Sequence, residues 1–318
     1  MKATTELPLR ILTHNIRYAT DSPFKGELPW DERRQPLLNE LLFNTRNQDA
    51  FICLQEVLHN QLVDVLSGLN QHSSTVPKTA SETQQWEYIG VGRDDGHRAG
   101  EYSPIFYQPS VWQLRHWESV WLSETPNKPS KGWDAASIRI LVRHYACDET
   151  LFIKLTPYQT IGVFTHTMTR HTVLAMNTHL DDQGSRSRLE AAKIILQEIY
   201  EYRSGEFGDC IAGVFLAGDF NSQETQEAYK VLTGPGSPLV DTAKVVEPSQ
   251  HYGDYYTWTG FGYEEQDPTL IDYILVGPGK NRLGTWKVNG YAVLANRFDS
   301  GVYLSDHRAV VADVTLYD

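Results

Sequence analysis

Short apolar runs alternate along this chain with a few segments of helical period. Leu9–Tyr18 alternates and is rich in strand-forming residues, which predicts a strand. Ala50–Gln55 and Val214–Ala217 are continuous apolar runs, as expected of strands covered on both faces. Tyr88–Gly92, Ser103–Tyr107, Ile138–Tyr145, Gly162–Met168, Thr172–Leu180, Ile271–Val276, Asn289–Ala295 and Arg308–Leu316 are further strand-like stretches. Helical spacing joins Leu37, Leu38, Leu41 and Leu42 behind an expected N-cap at Asp31. It also joins Leu62, Val65, Leu66 and Leu69, and then Leu189, Ala192, Ile195, Leu196 and Ile199 in a helix over 183–203. Many strands with few helices predict an α/β fold of two packed sheets with helices outside, not a doubly wound parallel sheet. No linker breaks the pattern, so one domain over residues 1–318 is expected; Gly234–Pro238 is a loop.

Composition narrows the function. Twenty-eight Lys and Arg against 40 Asp and Glu give a net charge of −12. That balance disfavours a non-specific nucleic-acid coat, which needs basic residues to neutralise phosphates. It leaves room for a carboxylate cluster around a cation. Three cysteines, Cys53, Cys147 and Cys210, form neither a zinc pattern nor a disulfide framework, and Cys53 and Cys210 are expected as buried thiols. Residues 1–10 lack an apolar signal core, no stretch has the length of a membrane span, and no N-glycosylation sequon occurs. These features predict a soluble, cytoplasmic protein with no membrane span and no obligate protein partner.

Polar residues cluster where the apolar strands stop. Phe51–Leu54 runs into Gln55 and Glu56, Val214–Ala217 into Gly218-Asp219-Phe220-Asn221, and Val173–Met176 into Asn177-Thr178-His179. Asn15 ends the first strand, Asp272 heads another, and Asp306-His307 precedes the last. A carboxylate directly after a buried strand is costly unless something pairs with it, so several such ends suggest one shared site. Asp219 and Asn221, two apart, fall on one face of an extended segment. An oxygen-only donor set favours Mg²⁺, Mn²⁺ or Ca²⁺ over zinc. His179 and His307, each near a carboxylate, have the chemistry to serve opposite ends of a displacement at phosphorus. Asp181 and Asp182 are expected as loop or helix-cap residues before the 183–203 helix, not as metal ligands. His14, His166 and His171 lie inside strand patterns and are expected to be structural. Arg17, Arg93, Arg98 and Arg139 have the fork that clamps phosphate, Arg93 being the strongest candidate beside Glu101. Trp30, Trp133, Trp258 and Phe261 are read as loop aromatics that pack in the core or on its rim.

These residues carry a resemblance. Thr13-His14-Asn15, Leu54-Gln55-Glu56-Val57, Asn177-Thr178-His179-Leu180, Gly218-Asp219-Phe220-Asn221, Ile271-Asp272-Tyr273-Ile274 and Ser305-Asp306-His307 occur in the order found in the endonuclease/exonuclease/phosphatase superfamily, the DNase I-like fold. Each tripeptide alone is weak evidence; six in order are strong. Gly92-Arg93-Asp94-Asp95-Gly96, Gly100-Glu101-Tyr102-Ser103-Pro104, Trp121-Leu122-Ser123-Glu124-Thr125-Pro126 and Gly132-Trp133-Asp134-Ala135-Ala136 are similar to a subgroup of metal-dependent hydrolases of bacteria and fungi. Tyr145–Thr160 departs from that subgroup and looks like an insertion.

The resemblance implies a four-layer α/β sandwich of two face-to-face, mostly antiparallel sheets. It implies a phosphoric ester hydrolase that uses Mg²⁺ or Mn²⁺, as one or two ions. Glu56 would be the main metal ligand, with Asn15 beside it and Asp306 as a further ligand or a group that supports the ligands from behind. Asp219 and Asn221 would position water and phosphate. His307 would be oriented by Asp272, and His179 by Glu101. Arg93, Asn177 and Asn221 would contact the substrate. Phosphodiester cleavage is slightly favoured over monoester cleavage. The acidic charge favours small or single-ended phosphoesters. A nuclease acting on DNA or RNA through the same site is one alternative, and a non-catalytic phosphate-ligand-binding module is another.

Overall fold

Strand β1 (Glu6–Asn15) pairs in parallel with β2 (Ala50–Gln55) and antiparallel with the last strand, β15 (Val310–Tyr317). The computed structural model describes residues 6–71, 85–138, 140–142, 161–262, 267–278 and 286–317. Arg139 and the Tyr145–Thr160 segment with Cys147 lie outside the described residues.

The first sheet has the order β12-β14-β15-β1-β2-β4-β3, with β3 at Glu87–Ile89, β4 at Ile105–Tyr107, β12 at His251–Gly253 and β14 at Trp286–Val293. The second runs β11-β13-β10-β9-β7-β6. Its strands are β6 (Ser119–Trp121), β7 (Ile140–Val142), β9 (Thr172–His179), β10 (Ile211–Asp219), β11 (Val240–Asp241) and β13 (Asp272–Gly277). Strand β8 (Ile161–His166) adds to β9, and β5 (Trp112–Trp117) to β8. Pairing is mostly antiparallel.

Alternation explains the layers. Phe215 and Ala217 of β10 point between the sheets, where Phe51 meets Trp112, Phe164 and Phe215 at ring-centroid distances of 4.6, 5.0 and 5.3 Å. Val214 and Leu216 face outward onto Ala191, Ile195 and Ile199 of helix α3 (Ser185–Ser204). On the other outer face, Leu12, Ile52 and Leu54 meet α1 (Trp30–Thr45) and α2 (His59–Gln71). Strands covered on both faces therefore read as continuous apolar runs. Each wholly buried Leu, Ile or Phe contributes about 1.5–3 kcal/mol to this core.

Some local expectations change. Pro29, not Asp31, is the N-cap residue of α1, and Asp31 lies within the first turn. Pro36 consequently falls in the second turn, where the helix runs on through it. Helix α3 is capped from outside: Asp134 accepts from the N–H groups of Ser187 (2.6 Å) and Arg186 (3.2 Å). Cys210 is exposed, because it lies in the turn just before β10. Trp30 and Phe261 are core residues, and Trp30 belongs to α1.

Candidate active site

Strand register assembles the site at one end of the sandwich. The last residue of β10, Asp219, lies opposite His179, the last of the parallel β9. On its other side lies Asp272, the first residue of the antiparallel β13. Three chemical groups thus share one row across three adjacent strands. In the first sheet, parallel β1 and β2 end together at Asn15 and Gln55, with Glu56 next. Strand β15 begins at that same end, just after Asp306 and His307.

Backbone strain concentrates here. Arg17, Glu56 and Asn221 hold φ values of 57°, 57° and 45°, a region that non-glycine residues rarely adopt. Gly218, at φ 142°, must be glycine, since a Cβ there would meet the Thr178 carbonyl oxygen.

The imidazole of His307 presents Nδ1 to Asp272 Oδ2 at 2.9 Å, and both side chains are buried. Thr257 Oγ1 accepts from the N–H groups of Ile271 and Asp272, which fixes that carboxylate's backbone. The His307 carbonyl accepts from Asn296 Nδ2 and pairs with His14 Nε2, each at 3.2 Å; His14 Nδ1 in turn lies 3.0 Å from Glu40 Oε1. Burial works against charge on His307, but Asp272, Asp219 and Asp306 outweigh it and raise its pKa to about 10. The Oδ1 atom of Asp272 is buried without a hydrogen-bond partner among the described residues.

Asp219 Oδ2 sits between the imidazoles, 3.5 Å from His179 Nε2 and 3.7 Å from His307 Nε2. Burial, and then the charge of Asp272, push its pKa up. Its Oδ1 accepts the Asn221 N–H at 2.8 Å. The Asn221 amide nitrogen donates to the Leu180 carbonyl at 3.1 Å, which fixes its orientation, and reaches His179 Nε2 at 3.2 Å. That contact needs a lone pair on Nε2 and assigns the His179 proton to Nδ1, 3.8 Å from Glu101 Oε2.

Asn15 bridges the two halves. Its Nδ2 donates to Glu56 Oε1 and Asp219 Oδ2, both at 3.0 Å, while its Oδ1 accepts the Arg17 N–H. Expected as a metal ligand, it instead turns its nitrogen to the carboxylates. Glu56, Asp219 and Asp306 each bring a carboxylate to the lining of one cleft. Burial raises the pKa of Asp306, and the charge of Glu56 adds to the effect against His307 and Arg17. Asp219, Asp272 and His307 form another close group, with one ligand atom each within 4.8 Å of one another. A cation there would have to displace the His307–Asp272 hydrogen bond.

The cleft over these groups has a volume of about 640 Å³. It is lined by Glu56, Glu101, His179, Asp219, Asn221, Asp306 and His307, with Arg17, Arg93 and Trp258 on its walls. Asp272 lies beneath, behind His307. Two expected substrate contacts sit differently. Asn177 is wholly buried and does not line the cleft; it donates to the Leu54 and Pro104 carbonyls and accepts from Gln55. Arg93 lines the cleft, but both its terminal nitrogens bind Glu101, at 2.8 and 2.6 Å. Arg98 is exposed on the 92–100 loop, away from the cleft lining. Asp181 takes the N–H groups of Gln183 and Gly184 ahead of α3, and Asp182 reaches the rim. Sequence reading missed Arg188, a polar residue in the first turn of α3, and the loop residues Gln223 and Gln226, which follow no period.

Known proteins give the context. The chain is similar to an endonuclease/exonuclease/phosphatase family protein of Bacteroides thetaiotaomicron, with 26% identity, 99% of both chains covered and a TM-score of 0.76. It is similar to the mannosyl-6-phosphatase Bt3783 of the same organism, with 27% identity, 96% of this chain and 99% of the other covered, and a TM-score of 0.75. It is 22% identical over 311 residues to Nocturnin of Drosophila melanogaster, covering 91% of this chain and 42% of that protein. This chain therefore spans less than half the length of that curated relative. No helix among the described residues is long and apolar enough to cross a membrane. Residues 12–307 match the model of the Endonuclease/Exonuclease/phosphatase family, to which the chain belongs and whose members hydrolyse phosphoester bonds.

Proposed function

We propose that the protein is a divalent-metal-dependent phosphoesterase that cleaves a small or single-ended phosphodiester by in-line attack of water. The observation that carries this reading is the meeting of Glu56, Asp219, Asn221, Asp306, His179 and the His307–Asp272 pair around one cleft. The donors fit a hard cation: Glu56 and Asp306 are both oxygen ligands on the cleft wall. When bound by Glu56 and Asp306, Mg²⁺ or Mn²⁺ would supply Lewis-acid stabilisation of negative charge on phosphorus-bound oxygen.

The chain's own groups account for the rest. Asp272 holds His307 with Nε2 turned toward Asp219 and the cleft, so His307 meets a phosphate oxygen as a fixed donor. Asp219 is the acceptor for a water proton, and its raised pKa suits it to that exchange. Asn221 holds Asp219 through its N–H and His179 through its amide. His179, with its proton on the Glu101 side, faces the phosphate from across the row. All three cleft arginines already carry carboxylate partners, Glu101 for Arg93, Glu27 for Arg17 and Glu227 for Arg188. That leaves little spare positive charge for a dianionic monoester and favours the diester. Hydrolysis of a sugar phosphomonoester is the second reading, favoured by the likeness to the mannosyl-6-phosphatase.

The test is a substrate panel of bis-p-nitrophenyl phosphate, p-nitrophenyl phosphate, sugar phosphates and oligonucleotides, with EDTA, Mg²⁺ or Mn²⁺. Metal-dependent diester turnover that collapses in Glu56→Ala, Asp219→Ala and His307→Ala is expected. Undiminished turnover in all three variants would falsify the assignment.

A further inference from the structure

We propose that Arg17 is a built-in cation that limits the carboxylate end of the cleft to one divalent ion. The inference rests on the metal-dependent reading above and deepens it by fixing the ion count. An unusual amount of structure holds this one residue. Its backbone is left-handed at φ 57°. Its N–H donates to Asn15 Oδ1 at 3.0 Å, and its carbonyl accepts from Gln61 Nε2 at 3.0 Å and from Arg33 Nη2 at 3.2 Å. Arg33 is itself wholly buried and donates also to the carbonyls of Ile16, Leu28 and Leu304. Strain held from this many sides marks a position whose geometry is needed.

The side chain is held as firmly. Nε donates to Glu27 Oε1 at 3.2 Å, and the other Glu27 oxygen accepts the Phe24 N–H. The guanidinium carbon lies 4.1 Å from the Tyr18 ring centroid and 4.7 Å from that of Phe24. Nη1 then stands 3.7 Å from Glu56 Oε2. Burial disfavours the charge, but Glu56, Asp306 and Glu27 outweigh it, so Arg17 stays cationic. Arg93, the other arginine this deep in the cleft, commits both terminal nitrogens to Glu101.

Two-metal sites hold their ions roughly 3.5–4 Å apart and share carboxylates between them. A second ion bridged through Glu56 would meet a guanidinium that cannot withdraw. A unit charge at contact distance in a partly buried site weakens dication binding by at least about a hundredfold. Arg17 thus offsets the surplus negative charge of Glu56 and Asp306 without a second metal.

Mn²⁺ binding, followed by the electron paramagnetic resonance of the free ion, reads this without activity. Wild type and Arg17→Lys are expected to bind one Mn²⁺ per chain, and Arg17→Met two. Arg17→Gln, which keeps an amide donor for Glu27, repeats the test should Arg17→Met not fold. A neutral variant that still binds a single ion, or a wild type that binds two, overturns the proposal. A wild type that binds two ions and turns over diester leaves the phosphoesterase reading standing. One that binds no Mn²⁺ and turns over without metal removes both.

Discussion

Replacing Asp272 with Asn should lower activity far more than it lowers stability. The substitution keeps the size of a wholly buried side chain and removes its charge. It breaks the 2.9 Å hydrogen bond to His307 Nδ1. Hydrogen bonds to charged partners contribute about 1.5–3 kcal/mol. At about 1.4 kcal/mol per factor of ten, kcat should fall roughly 10- to 150-fold. The amide also offers an N–H where the carboxylate accepted one, which favours the wrong tautomer of His307. Stability should fall too, though by less than loss of the ion pair alone implies. Asp272 Oδ1 is buried without a hydrogen-bond partner among the described residues, and its charge raises the pKa of neighbouring Asp219. Removing that charge relieves both penalties, but it also ends the attraction that raises the His307 pKa to about 10, and at neutral pH that loss is the larger effect. The assay pairs steady-state kinetics on bis-p-nitrophenyl phosphate at saturating Mg²⁺ with thermal melting of the same samples. The expected result is a large loss of kcat in a variant that still melts cooperatively, at a temperature below that of wild type. A kcat within about threefold of wild type would refute the role of the pair in transition-state stabilisation. A melting temperature above that of wild type would refute the claim that Asp272 stabilises a charged His307.

Arg33→Met should lower unfolding stability by about 3 kcal/mol or more, read by urea denaturation, because the buried carbonyls of Ile16, Arg17, Leu28 and Leu304 are left without this donor. Gly218→Ala should cost several kcal/mol and abolish turnover, since the strand must shift away from Thr178 and carry Asp219 with it; near-wild-type kcat would contradict the register argument. Asp134→Ala should cost about 1 kcal/mol through loss of the α3 cap, seen as a lower urea midpoint with unchanged denaturant slope. EDTA should abolish diester turnover and Mg²⁺ or Mn²⁺ restore it; full activity in chelator would remove the metal from the reaction.

The readable part of this protein is the part that strand order enforces. An apolar run that stops at Asp219 or His179 marks a strand end, and parallel pairing of β9 with β10 puts both ends at one edge of the sheet. The same logic joins Asn15 with Glu56, so strand ends alone group the motif residues. Elements without such a signature were not readable. In β5 a register shift between Leu114 and His116 breaks the alternation, and α4 (Glu227–Thr233) is too short to show a helical period. Cys210 looked buried because the apolar run of β10 begins beside it, yet the turn that precedes the strand leaves it exposed.

Side-chain direction is the deeper gap, and it decides chemistry here. Asn15 and Asn177 both stand at strand ends in motifs of the family, so pattern alone makes both candidates for contact with metal or substrate. Asn177 turns inward to the Leu54 and Pro104 carbonyls, and Asn15 turns its nitrogen, not its oxygen, to the carboxylates. Arg17 and Arg93 look alike as free forks in sequence, yet each is held by a carboxylate, Glu27 or Glu101, whose pairing no period reveals. The chain's −12 charge is thus not the field that a phosphate meets in the cleft. That field is set by which carboxylates are already neutralised. Glu101 and Glu27 are paired with arginine and Asp272 with His307. On the proposed reading Glu56 and Asp306 are left to hold a cation, which would let an acidic protein hold an anionic substrate at this end of the sandwich.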